Sequence, residues 1–206
     1  MTRVVDLAAT IFIVDDDEAD RCSLAALIES HGFQSRSYAS ATAFLDDRVA
    51  SQRGCLLVDV QMPEMGGLLL QRRMREAGMS MPVIVMTAFG DVPTAVQAMK
   101  DGAVDFIEKP FREEALLAAV QAALDRDRMT AEHAARIADV RVRRERLTPR
   151  ERQVLDGLTR GRQNKEIAYD LGISPRTVEI HRARVMEKME VHNLPQLIRL
   201  TLAAGP

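Results

Sequence analysis

The chain is short of several things that would define a function class at once. Its longest purely apolar runs are six residues, as in Met81-Pro82-Val83-Ile84-Val85-Met86. A bilayer span needs about 20, so no membrane-crossing helix is expected. No basic flank followed by an apolar core opens the sequence, so no secretory leader is expected. There are two cysteines in 206 residues, Cys22 and Cys55, far apart and without CxxC spacing. That argues against a disulfide framework or a thiolate metal site, and both are read as small buried apolar residues. No stretch is low-complexity, and an apolar content of 47% supports ordinary globular cores. These absences leave a soluble, cytoplasmic, globular protein as the expectation, with length enough for two domains.

Charge is nearly balanced overall but not along the chain. Residues 1–125 hold 11 Lys/Arg against 19 Asp/Glu, a net of −8. Residues 126–206 hold 17 against 11, a net of +6. A basic second half can sit on phosphates, and an acidic first half suits a metal or a cationic partner, although solvated surface charge gives the same totals.

The first 125 residues alternate short apolar runs with amphipathic stretches. The runs are Thr10-Ile11-Phe12-Ile13-Val14, Cys55-Leu56-Leu57-Val58, Val83-Ile84-Val85-Met86 and Val104-Asp105-Phe106-Ile107, with a weaker one near residues 33–38. Runs without polar alternation read as strands buried on both faces, which is the mark of a parallel sheet. Leu24, Leu27 and Ile28 mark one helix face; Leu70 with Met74, Val96 with Met99, and Leu116, Val120 and Leu124 mark others. Five βα units predict an α/β, doubly wound, five-stranded parallel sheet whose ligand site lies at the carboxyl ends of the strands. Residues 126–146 contain neither Pro nor Gly and read as a solvated helical linker continuing the fifth helix.

Residues 147–206 carry no strand signal and predict a small all-α domain of four helices. Thr148-Pro149-Arg150-Glu151 is a capping box with Pro at the first helical position. Gly161 stops that helix. A second helix follows over about 163–170, then the turn Leu171-Gly172-Ile173, then Ser174-Pro175 opening a third helix to about 189. Asn193 with Gln196 caps the fourth. Two short helices about a Gly-containing turn, at about 163–189, give the helix-turn-helix layout.

Several polar residues fall at the predicted strand ends. Asp15 and Asp16 follow the first strand, Asp59 follows the third, Thr87 ends the fourth, and Lys109 follows the fifth. Carboxylates clustered this way repel one another unless a cation sits among them. A hard divalent ion fits, and Mg²⁺ is the usual choice where a phosphoryl group also binds. Asp15, Asp16 and Asp59 would hold it, with the backbone carbonyl of Gln61 as a further ligand. Lys109 can pair with a phosphate oxygen and the Thr87 hydroxyl can hydrogen-bond another. Asp59 would then be a carboxylate nucleophile toward a phosphoryl donor. Taken singly, an Asp at a strand end is more often a helix cap; the ordered set is harder to reach by chance. Two other functions share these carboxylates. A Mg²⁺-dependent phosphatase with an Asp nucleophile would need a second Asp two residues on, where this chain has Gln61. An adaptor would dock a partner without taking up phosphate.

On the third predicted helix of the all-α domain, Val178, Val185 and Met189 share one face with His181 at its edge. Arg176, Ile180, Ala183, Arg184 and Glu187 share the other, flanked by Glu179. The second face can read bases: Arg for guanine edges, Glu for cytosine amines, Ile or Ala for a thymine methyl. Lys165, Arg162, Arg182 and Lys188 suit phosphates. A solvated helix in an ordinary bundle would carry similar charge.

Two resemblances now bear on these readings. Ile13-Val14-Asp15-Asp16-Asp17-Glu18, Val58-Asp59-Val60-Gln61-Met62-Pro63, Met86-Thr87-Ala88 and Phe106-Ile107-Glu108-Lys109-Pro110 resemble the motifs of response-regulator receiver domains. Gly90-Asp91-Val92-Pro93, Ala98-Met99-Lys100 and Gly102-Ala103-Val104-Asp105-Phe106 resemble the FixJ branch. Leu147-Thr148-Pro149-Arg150-Glu151, Asn164-Lys165-Glu166-Ile167-Ala168, Leu171-Gly172-Ile173-Ser174 and Thr177-Val178-Glu179-Ile180-His181 resemble the LuxR-type helix-turn-helix module. Together they cover essentially the whole chain and match the NarL/FixJ family. The resemblance implies a two-component response regulator rather than a turnover enzyme. It further implies a sensor histidine kinase as donor, phosphorylation at Asp59, and a switch in which Thr87 turns toward the phosphoryl group while Phe106 fills the vacated space. Ala88, small, leaves the donor access. Gln61 and Phe89 occupy positions that tune phosphoryl lifetime. Helix 92–101 and the fifth strand would become the face of a homodimer that binds double-stranded promoter DNA at two half-sites, with RNA polymerase as a further contact and recognition helix 175–189 carrying Thr177 with the reading residues. Before phosphorylation the receiver would shield the output domain or hold it monomeric.

Overall fold

The computed structural model describes residues 9–47 and 52–203. The opening stretch read for a leader, residues 1–8, lies outside the described residues. The chain forms two compact units, residues 1–130 and 131–206. The division falls inside the stretch read as a linker.

In the first unit, five strands, β1 (Thr10–Val14), β2 (Gln34–Tyr38), β3 (Gly54–Asp59), β4 (Val83–Thr87) and β5 (Asp105–Glu108), form one parallel sheet in the order β2-β1-β3-β4-β5. Every residue of β3 and β4 is buried, as unbroken apolar runs require in the middle of a sheet with both faces covered. The alternation of side chains splits the core in two. Ile11, Ile13, Cys55, Leu57, Ile84 and Met86 face one side, where they meet Leu24 and Ile28 of α1 (Glu18–Ser30) and Leu116, Val120 and Leu124 of α5 (Glu113–Glu145). Phe12, Val14, Leu56, Val58, Val83 and Val85 face the other. There they meet Phe44 of α2 (Ala41–Asp46), Leu70 and Met74 of α3 (Gly67–Glu76) and Ala98 of α4 (Val92–Lys100).

Two expectations need correction. Cys22 is exposed on α1, because it falls on the flank opposite Leu24 and Ile28; Cys55 is the buried one. The Val96–Met99 face of α4 does not enter the core: Val92, Val96 and Met99 are exposed and Ala98 is the buried residue of that helix. No apolar face was read for α2, whose six residues are too few for a helical period to show; Ser40 caps it and Phe44 anchors it, edge-on to Phe12 and Tyr38.

The helix α5 runs 33 residues, so the stretch read as a linker is helical to Glu145. Within the first unit the buried Asp127 accepts from Arg53 at 2.5 Å, fixing α5 to the start of β3. Met129 beyond it is exposed.

The second unit contains α6 (Pro149–Thr159), α7 (Asn164–Leu171), α8 (Pro175–Lys188) and α9 (Leu194–Ala203). Thr148 and Glu151 form the capping box read from sequence. Gly172 ends α7 in the left-handed conformation, φ 64°, where a side chain would be strained, and Ser174 caps α8 two residues later. Val154, Leu155, Leu158, Ile167, Val178, Val185, Met189 and Leu197 form the core, closed by Val140 from the end of α5. The helices α6 and α7 pack closely at Gly157, where an added Cβ would lie 2.7 Å from Ile167.

Candidate functional site

Strand register places the polar residues of the first unit on one edge. Val14 pairs with Val58, so the next residues, Asp15 and Asp59, leave the sheet side by side. Asp59 is level with Met86, and Thr87 is level with Glu108, so Thr87 and Lys109 emerge beside them. Lys109 then reaches across the strand ends. Its ammonium lies 2.7 Å from Asp15, 3.0 Å from Asp59 and 2.8 Å from Asp20 of α1. Asp15 and Asp59 are buried, which an ionised carboxylate tolerates only with a charged partner.

The surrounding backbone completes the shell. Asp59 Oδ2 accepts from the Gln61 N–H at 2.6 Å, and Asp15 Oδ1 from the Asp17 N–H at 2.9 Å. Arg21 donates to the backbone carbonyls of Asp15 and Asp16 at 2.8 and 2.9 Å, tying their loop to α1. The start of α3 presses against the Asp59 strand end: a Cβ on Gly67 would stand 2.3 Å from the Asp59 carbonyl oxygen, so only glycine fits. Burial pushes the Asp59 carboxyl up, and the hydrogen bond and charge of Lys109 pull against it without fully offsetting it. Burial also opposes the Lys109 ammonium, but its three carboxylate partners more than compensate and hold its pKa above the ordinary lysine range.

The other receiver residues are placed as follows. Asp16 is exposed, as are Gln61 and Ala88. The Thr87 hydroxyl is buried and turned to its own loop, accepting from the Phe89 N–H at 3.2 Å and donating to its carbonyl at 3.4 Å. Phe106 is half-buried against the core shared with Val85 and Ala98. The donor chemistry of Asp15, Asp16 and Asp59 fits a hard divalent cation. Lys109 bridges Asp15 and Asp59 in this structure. Among the described residues no three His, Cys, Asp or Glu stand together as a ready metal cage. Asp20 was not singled out from sequence; its one signal was a carboxylate in the first turn of a helix opened by the Asp17 cap.

In the second unit α8 presents two faces. Val178, Val185 and Met189 are fully buried, while Arg176, Glu179, Ile180, Ala183, Arg184 and Glu187 are exposed along the outer side. Thr177 and Arg182 are half-buried at its edges, and Thr177 shares a hydrogen bond with the Ser174 cap. Lys165 is exposed on α7, and Arg162 is paired with Asp170. Lys188, expected on a phosphate, is engaged within the domain here. Its ammonium lies 2.7 Å from Glu151, a capping carboxylate buried at 1% exposure that needs a cation. Nδ1 of His181 is shielded from solvent without a hydrogen-bond partner.

Comparison with known proteins agrees with both halves. Residues 11–121 match the response regulator receiver domain, and residues 145–201 match the bacterial regulatory proteins of the luxR family. The chain is 51% identical to the transcriptional regulatory protein FixJ of Azorhizobium caulinodans, over 95% of this chain and 92% of that protein. It is 44% identical to the response regulator TodT of Pseudomonas putida, over 98% and 88%. Among solved structures it is similar to the response regulator StyR, with TM-score 0.83 and 39% identity over 94% of this chain and 98% of that one. It is also similar to full-length FixJ from B. japonicum, with TM-score 0.59 and 44% identity over 95% and 97%. No helix among the described residues is long and apolar enough to cross a membrane. With a receiver fold at one end, a helix-turn-helix at the other and relatives matched along nearly its whole length, the chain belongs to the response-regulator family as a FixJ-like receiver joined to a LuxR-type DNA-binding domain, a transcriptional two-component regulator.

Proposed function

We propose that Asp59 is the phosphoryl acceptor of this regulator and that its phosphorylation drives dimerisation and promoter binding. The observation that carries the reading is the Lys109 ammonium held between the Asp15 and Asp59 carboxylates at the strand ends. A sensor histidine kinase supplies the group. An Asp59 oxygen attacks phosphorus, the P–N bond to the kinase imidazole breaks, and its electron pair leaves on nitrogen. Lys109 orients and neutralises the phosphoryl oxygens. Asp15, Asp16, Asp59 and the Gln61 carbonyl would hold Mg²⁺, which would supply further charge neutralisation.

The phosphoryl group carries roughly −1.5 to −2 charge beside Thr87, in place of the −1 of the Asp59 carboxylate. A phosphoryl oxygen is a stronger acceptor than the Phe89 carbonyl, so the Thr87 hydroxyl turns to it and Phe106 fills the space, with Ala88 leaving the entry open. The exposed Val92, Val96 and Met99 of α4 then become part of the homodimer face. Two copies of α8 meet double-stranded promoter DNA at two half-sites. Arg176, Thr177, Glu179, Ile180, Ala183 and Arg184 face the bases and Lys165 and Arg182 the phosphates; RNA polymerase is the further partner. On this reading the protein is cytoplasmic and accepts one group rather than turning over a substrate.

The test gives purified protein acetyl phosphate with Mg²⁺. One phosphoryl mass should appear, be lost with hydroxylamine, and be missing in Asp59→Asn. The modified protein should sediment as a dimer and shift promoter DNA at lower concentration. Uptake by Asp59→Asn equal to the parent would overturn the acceptor assignment, and equal DNA affinity in both states would overturn the coupling.

A further inference from the structure

The Lys109 ammonium has three N–H donors, and in this structure three carboxylates take them. A phosphoryl oxygen arriving at Asp59 therefore finds no free donor on the lysine and must displace a bond. The three partners differ in how easily they let go. Asp15 has a side chain 2% exposed, so water cannot take over its hydrogen bond and only the cation it would help hold could replace Lys109 there. Asp59 is the acceptor itself. Asp20 sits on α1 with a side chain 49% exposed, so water can take over its hydrogen bond. Its position is built in: the Asp17 cap accepts from the Asp20 N–H at 3.1 Å, which presents the Asp20 side chain at the first turn of α1.

We infer that Asp20 is a resident competitor for Lys109, occupying the donor that the phosphoryl group on Asp59 needs and being expelled when that group arrives. This rests on the reading of Asp59 as acceptor. Asp20 also places one more negative charge near the path of an anionic donor, so both effects act in the same direction. Removing it frees an N–H of Lys109 and favours the phosphorylated state. Asp20 touches no reacting atom; it acts through Lys109 and is a positioning residue.

The test uses the full chain with Mg²⁺ and two probes, beryllofluoride as a phosphoryl mimic and acetyl phosphate as a donor. Asp20→Ala should bind beryllofluoride roughly two- to five-fold more tightly than the parent, the range for one half-exposed ion pair. Its initial rate of phosphorylation at limiting acetyl phosphate should rise by a similar factor. Asp20→Asn, which drops the charge but keeps an acceptor oxygen, should fall between them. Glu18→Ala, which removes a nearby exposed carboxylate that does not touch Lys109, should match the parent. Mimic affinity is the deciding readout, because a merely structural role for Asp20 would lower it or leave it alone. Asp20→Ala binding no more tightly than the parent overturns the inference, as does an equal gain in Glu18→Ala. Failure of the parent to bind beryllofluoride or take up phosphate overturns instead the acceptor reading on which it rests.

Discussion

Asp59 is held in a state that costs the fold something. Its carboxyl is buried, and the attraction of Lys109 offsets that burial only in part, so its pKa in the folded chain lies above the ordinary value. For a carboxyl raised this way, the folded state is favoured below the ordinary carboxylate pKa. That advantage is lost as pH rises through the folded pKa and the group ionises. Asp59→Asn removes the buried charge while keeping shape, and Lys109 retains Asp15 and Asp20. The variant should be more stable than the parent at neutral pH by about 1 kcal/mol, the usual scale for relieving a site kept for function. The gap should close on acidification. Denaturant melts at two pH values decide it; a variant less stable than the parent at neutral pH would mean that the Lys109 pair outweighs desolvation.

At the scale of the element, one ion pair joins two helices of the output domain. Glu151 caps α6 and Lys188 ends α8, 2.7 Å apart. Burial raises the Glu151 carboxyl, but the Lys188 hydrogen bond and the Thr148 N–H lower it further, and the net direction is down. The pair therefore stabilises above the ordinary glutamate pKa, and the contribution is lost as pH falls through the depressed folded value. Glu151→Gln should weaken protection of the α6 amides by roughly 1–3 kcal/mol near neutrality, the cost of a buried bond to a charged group. Hydrogen exchange reads that loss, and it should shrink in acid as the parent's own carboxyl protonates. This tie is also what the sequence did not show. The capping box, the Gly172 turn and the buried face of α8 were legible because each depends on residues close together in the chain. The contact between residues 151 and 188 needs the folded bundle, so Lys188 read as a free phosphate contact. The same limit applies to Lys109, whose Asp20 partner lies 89 positions away. In the receiver the unbroken runs of β1, β3 and β4 were legible from burial on both faces. The edge strand Gln34–Tyr38 was faint because three of its five residues are exposed. The apolar stripe of α4 pointed to a core face, yet its Val92, Val96 and Met99 lie outward, on the surface proposed for pairing.

Across the whole molecule, charge is divided according to chemistry, with a net of −8 in residues 1–125 and +6 in residues 126–206. A phosphoryl acceptor needs carboxylates, and a DNA reader needs cations to release counterions from the duplex. The two requirements sit in different units, so changes to one basic residue can be read in DNA binding without touching the acceptor. The exposed Lys165 has no role in the output-domain core, whereas Lys188 is committed to Glu151. Lys165→Ala should weaken binding to specific and scrambled duplexes alike. It should also lower the magnitude of the slope of log affinity against log salt by about 0.9 per chain, as loss of one phosphate contact requires. Lys188→Ala should leave that slope unchanged and instead destabilise α6. Fluorescence anisotropy of the phosphorylated chain on both duplexes, measured through a salt series, separates the two. An equal drop in slope for both variants would put Lys188 back on the DNA and leave the buried Glu151 charge without its assigned partner in the bound state. The interhelical tie would then be a feature of the free domain that DNA binding breaks.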